Sequence, residues 1–344
     1  MTAQSLDRKI SFFSAFILIV NLLNINMETN HFLKKIKKII FFLAISFAAT
    51  AIQAQTTYYI TGSGTSFTAR KDNAITGAIV NGANGVPIQN VIDAIKTRDD
   101  CTIQFGSGGA NVLDIGTAYI NFDDNGSNET TRQWGKITLT GKITSNSSIG
   151  TIHVTRHIRS IDSYANIKNT SDTGKTIFIE TISSSRKITI SGGSVEATAG
   201  DGIFNFSSNT VDILGGVVSV TTGDGVHNGG YGKINITGGT VSATTGKAIF
   251  NPVWGDITIT GTAIITSEST STTSGTVHND GDIEITGGTV RNTATGGNAV
   301  YNSASGGISI SDGTVEATAS GYAILNAKGT LSMSGTPKIS GKMQ

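Results

Sequence analysis

The chain predicts an all-β fold: a right-handed parallel β-helix, a β-solenoid, with coils of about 23 residues and a short N-terminal capping helix. Three repeating features carry that prediction. An I-x-I pair of aliphatics recurs at Ile188-Ile190, Val211-Ile213, Ile234-Ile236, Ile257-Ile259, Ile283-Ile285 and Ile308-Ile310, and Leu331-Met333 continues it. Glycine pairs follow at Gly192-Gly193, Gly215-Gly216, Gly238-Gly239 and Gly287-Gly288. An asparagine closes each unit at Asn205, Asn228, Asn251, Asn279, Asn302 and Asn326. A fixed period of this length is the signature of stacked coils, and alternation of Ile and Val with polar residues selects strands over disorder in a chain with 43 Gly and little charge.

In chain order, the first element is a leader. Lys34, Lys35, Lys37 and Lys38 precede an apolar run from Ile39 to Ile52, too short to span a bilayer, and Ala54 fits a cleavage site that leaves Gln55 as the mature start. Residues 27–54 therefore read as a secretory signal peptide, with the product secreted or at the cell surface and not integral to the membrane. A second apolar run, Phe12 to Ile25, lies upstream; Met27 reads as the true start and 1–26 as upstream sequence, the alternative being a membrane hairpin. Residues 55–135 read as an N-terminal cap and the first coils. Within them Ile88, Val91, Ile92 and Ile95 have helical spacing, and 102–105 has the character of a strand. Residues 136–344 are the repeat, with an early copy at Ile137-Leu139 and a degenerate one through Ile161, Ala165 and Ile167. After Leu331 only a short tail remains, which predicts an end part-way through a coil.

Each unit contains three short strands. The glycine pair bends the chain from the first to the second, which carries Val195-Ala197, Val218-Val220, Val241-Ala243 and Val315-Ala317. A further glycine bend leads to the third, as in Ala248-Ile249-Phe250-Asn251. The asparagines are expected to stack as a hydrogen-bonded ladder along the axis.

The helix segment IQNVIDAIKTR followed by CTIQFGSG resembles the entry to the pectin-lyase-like superfamily of right-handed β-helices, and the ITGGTVSATTG and AIFN units resemble repeats of adhesin-like surface proteins of Gram-negative bacteria. The resemblance spans about residues 85–344. It implies architecture strongly and activity weakly, because this fold hosts lyases, hydrolases, adhesins and stalks.

Net charge is +1, which argues against nucleic acid or an anionic membrane as a partner. Cys101 is the sole cysteine and is read as a buried apolar residue. Asp201 and Asp224 stand 23 residues apart in matching G-D-G turns, a candidate acidic pair, with Lys175 and Lys247 at the same position on the flanking coils. The bland reading is a solvated column of alternating charge. Asp280, Asp282 and Glu284 form a second acidic patch, and Arg291 should face Glu316 across one coil spacing. The mature histidines are His153, His157, His227 and His278. Their spacing along the axis predicts no histidine metal site, and no cofactor is expected.

One position of the third strand carries rings: His153, Phe178, Phe204, His227, Phe250, His278 and Tyr301, then Leu325. If the aliphatics and asparagines face inward, these rings face out beside small residues. Phe178, Phe204, His227, Phe250, His278 and Tyr301 are thus the candidate ligand-binding set. The competing readings are rings that stiffen the solenoid by stacking, and reversed faces with the rings in the core. A threonine column (Thr198, Thr221, Thr244, Thr293, Thr318) lies beside Glu196, Ser219, Ser242, Arg291 and Glu316, charges that spoil an ice-binding plane. No catalytic constellation is visible. The expected function is adhesion or binding of a polysaccharide or host-surface glycan; the alternatives are a carbohydrate-active enzyme with an unrecognised site, or a structural stalk.

Overall fold

The computed structural model describes residues 55–123, 134–155, 158–180, 187–252 and 255–344. The proposed leader and upstream segment, and His157, lie outside the described residues.

The described chain is a parallel β-solenoid of about eight turns, spaced about 24 residues apart, with one helix. Each coil contributes to three ladders. The first runs through Ile188, Val211, Ile234, Ile257, Ile283 and Ile308 in parallel register. The second runs through Ile167, Val195, Val218, Val241 and Ile265. The third runs through Ile152, Ile177, Ile203, Val226, Ile249, Val277, Val300 and Ile324. All of these aliphatics are buried, so one core runs along the axis. The bend between the first two ladders depends on glycine. Gly216 has φ 73°, and a Cβ there would lie 2.7 Å from the Gly192 carbonyl carbon on the preceding coil.

The N-terminal end is covered by more than the helix that the sequence predicts. Thr56–Ser63, Ser66–Lys71 and Ile79–Val86 form an antiparallel meander. The helix spans Ile88–Ile95 and buries Ile88, Val91, Ile92 and Ile95. Cys101–Phe105 then pairs in parallel with Thr56–Ile60 on one side and with Ile137–Gly141 on the other. The terminal ladder edge is therefore occupied by the chain's own first strand, which blunts an otherwise unpaired edge.

The far end differs from expectation. Thr330–Met333, Lys338–Ser340 and Lys342–Met343 add one strand each to the first, second and third ladders. The tail thus adds a strand to all three ladders rather than stopping part-way, because its connection from the second ladder to the third, Ile339 to Met343, is only four residues against eight or more in the other repeats.

Candidate functional site

The third ladder turns the residues around its ring column in a defined way. Ile203 and Asn205 are buried and Phe204 between them is half-buried, and Ile249, Phe250 and Asn251 repeat the pattern. The aliphatics and asparagines therefore face the core, and the rings face out. The inward asparagines form the ladder: Nδ2 of Asn205, Asn228 and Asn251 donates to Oδ1 of Asn228, Asn251 and Asn279, at 3.0, 2.9 and 2.7 Å. A second donation from each reaches a turn carbonyl, such as Gly232 O at 2.8 Å. The chain of amides breaks before Asn302, whose Oδ1 is buried without a partner.

Outside, the rings touch one another. His153 and Phe178 stack at 4.6 Å with planes 1° apart, and Phe178 and Phe204 at 5.4 Å and 29°. Beyond Phe204 the planes tilt: 66° to His227, 47° from His227 to Phe250, 57° from Phe250 to His278 and 87° from His278 to Tyr301. Lys247 Nζ lies 4.1 Å from the Phe250 ring centroid, and Lys175 Nζ lies 5.6 and 5.4 Å from those of Phe178 and Phe204. Ring faces at the N-terminal end are thus occupied by neighbouring rings and by Lys175; from Phe204 to Tyr301 the rings meet at an angle, and Lys247 covers Phe250. His153 Nε2 lies 3.1 Å from Glu180 Oε2, and His278 Nε2 lies 3.7 Å from Asp280 Oδ1. Burial pushes the pKa of both imidazoles below the ordinary value, against these carboxylates.

Asp201 and Asp224 do lie side by side on adjacent coils, but not in a column of simple alternating charge. The Asp224 N–H donates to Asp201 Oδ1 at 3.0 Å, and His227 Nδ1 lies 3.1 Å from Asp201 Oδ2 and 3.9 Å from Asp224 Oδ2. Lys247 approaches Asp224 Oδ1 through both its N–H (3.2 Å) and Nζ (3.3 Å). Lys175 packs on the rings instead. Alignment of the repeats keeps His227 and the aspartates in separate columns; the i, i+3 spacing of Asp224 and His227 is the signal that joins them. Arg291 meets Glu316 as expected, with Nε and a terminal nitrogen at 2.9 and 3.2 Å from its two oxygens. Asp280 turns towards the ring row, whereas Asp282 accepts the Gly307 N–H at 2.7 Å. Cys101 is buried, and that burial, with Asp100 and Asp99 behind it, pushes its thiol up to about 12, which leaves it a packing residue.

A second feature is a notch at the corner between the second and third ladders. The connection from Val195 to Ile203, from Val218 to Val226 and from Val241 to Ile249 is eight residues each time, against ten from Ile167 to Ile177 and twelve from Ile265 to Val277. Three short turns between longer ones leave a recess of about 390 Å³. Its floor is Ala197, Val220 and Ala243, an apolar cluster separate from the main core. Ser219 and Ser242 line one side and Thr198, Thr221 and Thr244 the other; Glu196 and Glu268 stand towards its ends. Nothing in the serine or threonine column by itself marks it as the wall of a recess. The signal was the run of equal, minimal turn lengths. No protein-family model matches the chain, and no curated protein or solved structure matches it.

Proposed function

We propose that this chain is an exported, non-catalytic solenoid that binds an extended glycan, as expected of an adhesin-like member of the pectin-lyase-like β-helices. The observation that carries the reading is the notch. From Lys168 to Thr266 it follows five coils in register, which at about 4.8 Å per coil is roughly 19 Å. An apolar floor between two rows of hydroxyls suits a linear polyol, whose C–H faces and hydroxyls need both kinds of surface. Binding is favoured over hydrolysis by the lining carboxylates. Glu196 and Glu268 stand three coils apart, roughly 14 Å, beyond the ~5–9.5 Å between the carboxyls of glycosidases. The ring row from Phe204 to Tyr301, half-buried and facing out, is the alternative surface for the same ligand class.

Affinity electrophoresis of the chain from Gln55 in gels holding mixed polysaccharides tests the proposal. Retardation should be lost in Ser219→Gln/Ser242→Gln, which fills the notch, and kept in Phe204→Ala/Phe250→Ala/Tyr301→Ala. The opposite pattern assigns binding to the rings. No retardation of the unmodified protein, or release of reducing or unsaturated sugars, would overturn a non-catalytic glycan binder.

A further inference from the structure

We propose that Asp201, Asp224 and His227 form a binding site for a divalent first-row transition metal, zinc being the simplest case. The site needs no glycan and does not rest on the preceding reading. One donor atom from each residue lies within 4.8 Å of the other two. Ligands held about 2.0–2.2 Å from a tetrahedral ion are roughly 3.3–3.5 Å apart, and the distances from His227 Nδ1 to the two carboxylate oxygens, 3.1 and 3.9 Å, bracket that spacing. The two carboxylate oxygens lie within 4.8 Å of each other, so closing on an ion draws them together by at most about 1.5 Å from the ligand spacing of a tetrahedral site, within the reach of side-chain torsions.

The pre-organisation lies in the other carboxylate oxygens. Asp201 Oδ1 accepts the Asp224 N–H and Asp224 Oδ1 accepts the Lys247 N–H. Each aspartate is thereby oriented by the backbone of the next coil, leaving its Oδ2 towards His227. Such outer contacts orient the ligands in metal sites. Packing between Phe204 and Phe250 holds the imidazole, at centroid distances of 4.6 and 4.8 Å. The side chains of Asp201, Asp224 and His227 are 18, 13 and 22% exposed, which lets an ion enter from solvent while desolvating much of the cage.

The donor set decides the class of ion. One imidazole nitrogen with two carboxylate oxygens suits zinc, manganese or cobalt, whereas calcium takes six to eight oxygens. The two carboxylates supply the charge that a divalent ion neutralises. Lys247 opposes it: its ammonium is 3.3 Å from Asp224 Oδ1 and competes for that charge.

Titration with Co²⁺ followed by visible absorption, and with Zn²⁺ by calorimetry, tests this in the chain from Gln55. One ion per chain is expected. His227→Phe keeps a ring in the row, and it and Asp201→Asn should each weaken binding at least ~100-fold, more than the loss of an outer-shell partner does. Lys247→Met should do the opposite and tighten binding several-fold. Circular dichroism confirms that each variant keeps its strands. Absence of binding at millimolar metal, or binding unchanged in both His227→Phe and Asp201→Asn, would overturn the site.

Discussion

Asn251 shows how one polar side chain holds three coils. Its Nδ2 donates to Asn279 Oδ1 and to Gly255 O, both at 2.7 Å, and its Oδ1 accepts from Asn228 at 2.9 Å. It is fully buried. Truncation to alanine leaves acceptors and a donor without partners in a core that excludes water, and each such orphan costs roughly 1–3 kcal/mol. Asn251→Ala should therefore destabilise the protein by about 3 kcal/mol in urea unfolding. Asn326 accepts from Asn302 at 2.8 Å in the same ladder but is only partly buried, so water can replace what is lost. Asn326→Ala should cost less than half as much; equal costs would show that the ladder does not act through burial. The ladder was readable from the recurrence of the asparagines every 23 to 28 residues at the end of the third strand. Its break at Asn302 was not, because that depends on where one amide turns.

At the scale of the element, each coil is stabilised by its neighbours on both sides. A coil in the middle, such as that of Ile234–Ile236, has both its core residues fully buried. The last coil has one neighbour, and its Leu331, Met333 and Met343 are 37, 41 and 52% exposed. Local opening free energy follows buried contact, so amides of residues 330–343 should exchange much faster than those of Ile234–Ile236 in a dilute monomer. Hydrogen-exchange mass spectrometry reads this directly; equal protection would mean that the last coil is covered in solution. The capping helix was legible from the spacing of its four apolar residues. The meander before it was not: Ile79–Val86 contains two glycines and little alternation, and its strand state comes from pairing with Ser66–Lys71. The closure of the last coil escaped for a similar reason: Leu331-Met333 is legible as a repeat, but the strands after it, Lys338–Ser340 and Lys342–Met343, are three and two residues long and too brief to show a pattern.

For the whole molecule, the outer ring row couples stability to pH. Burial lowers the pKa of His153 and His278 from 6.5. Glu180 and Asp123 oppose this at His153; at His278, Asp280 and Asp224 oppose it and Lys247 adds to it. Both rings remain neutral in the folded chain at pH values where the unfolded chain takes up protons. The contribution to stability is fully present above about pH 6.5 and is lost as pH falls through the folded-state values. The melting temperature should therefore decline on acidification between about pH 7 and 5, and His153→Gln/His278→Gln should flatten that decline. An unchanged slope in the double variant would assign the acid sensitivity to other groups.

The solenoid turns repetition in the chain into adjacency in space. A fixed offset between coils makes position i the neighbour of its repeat equivalent, so the strands of the repeat, the asparagine ladder, the ring column and the Arg291–Glu316 pair were determined by the sequence alone, whereas which face of the third strand turns inward was left to packing. What the repeat does not carry is geometry set by departures from it. Turn lengths of eight residues between longer ones open the notch. Rotamers chosen against the next coil tilt the rings beyond Phe204 and lay Lys247 over Phe250. The convergence of His227 on Asp201 and Asp224 crosses two columns that alignment of repeats keeps apart. Each of these depends on side-chain torsions and backbone bends that only packing between coils decides.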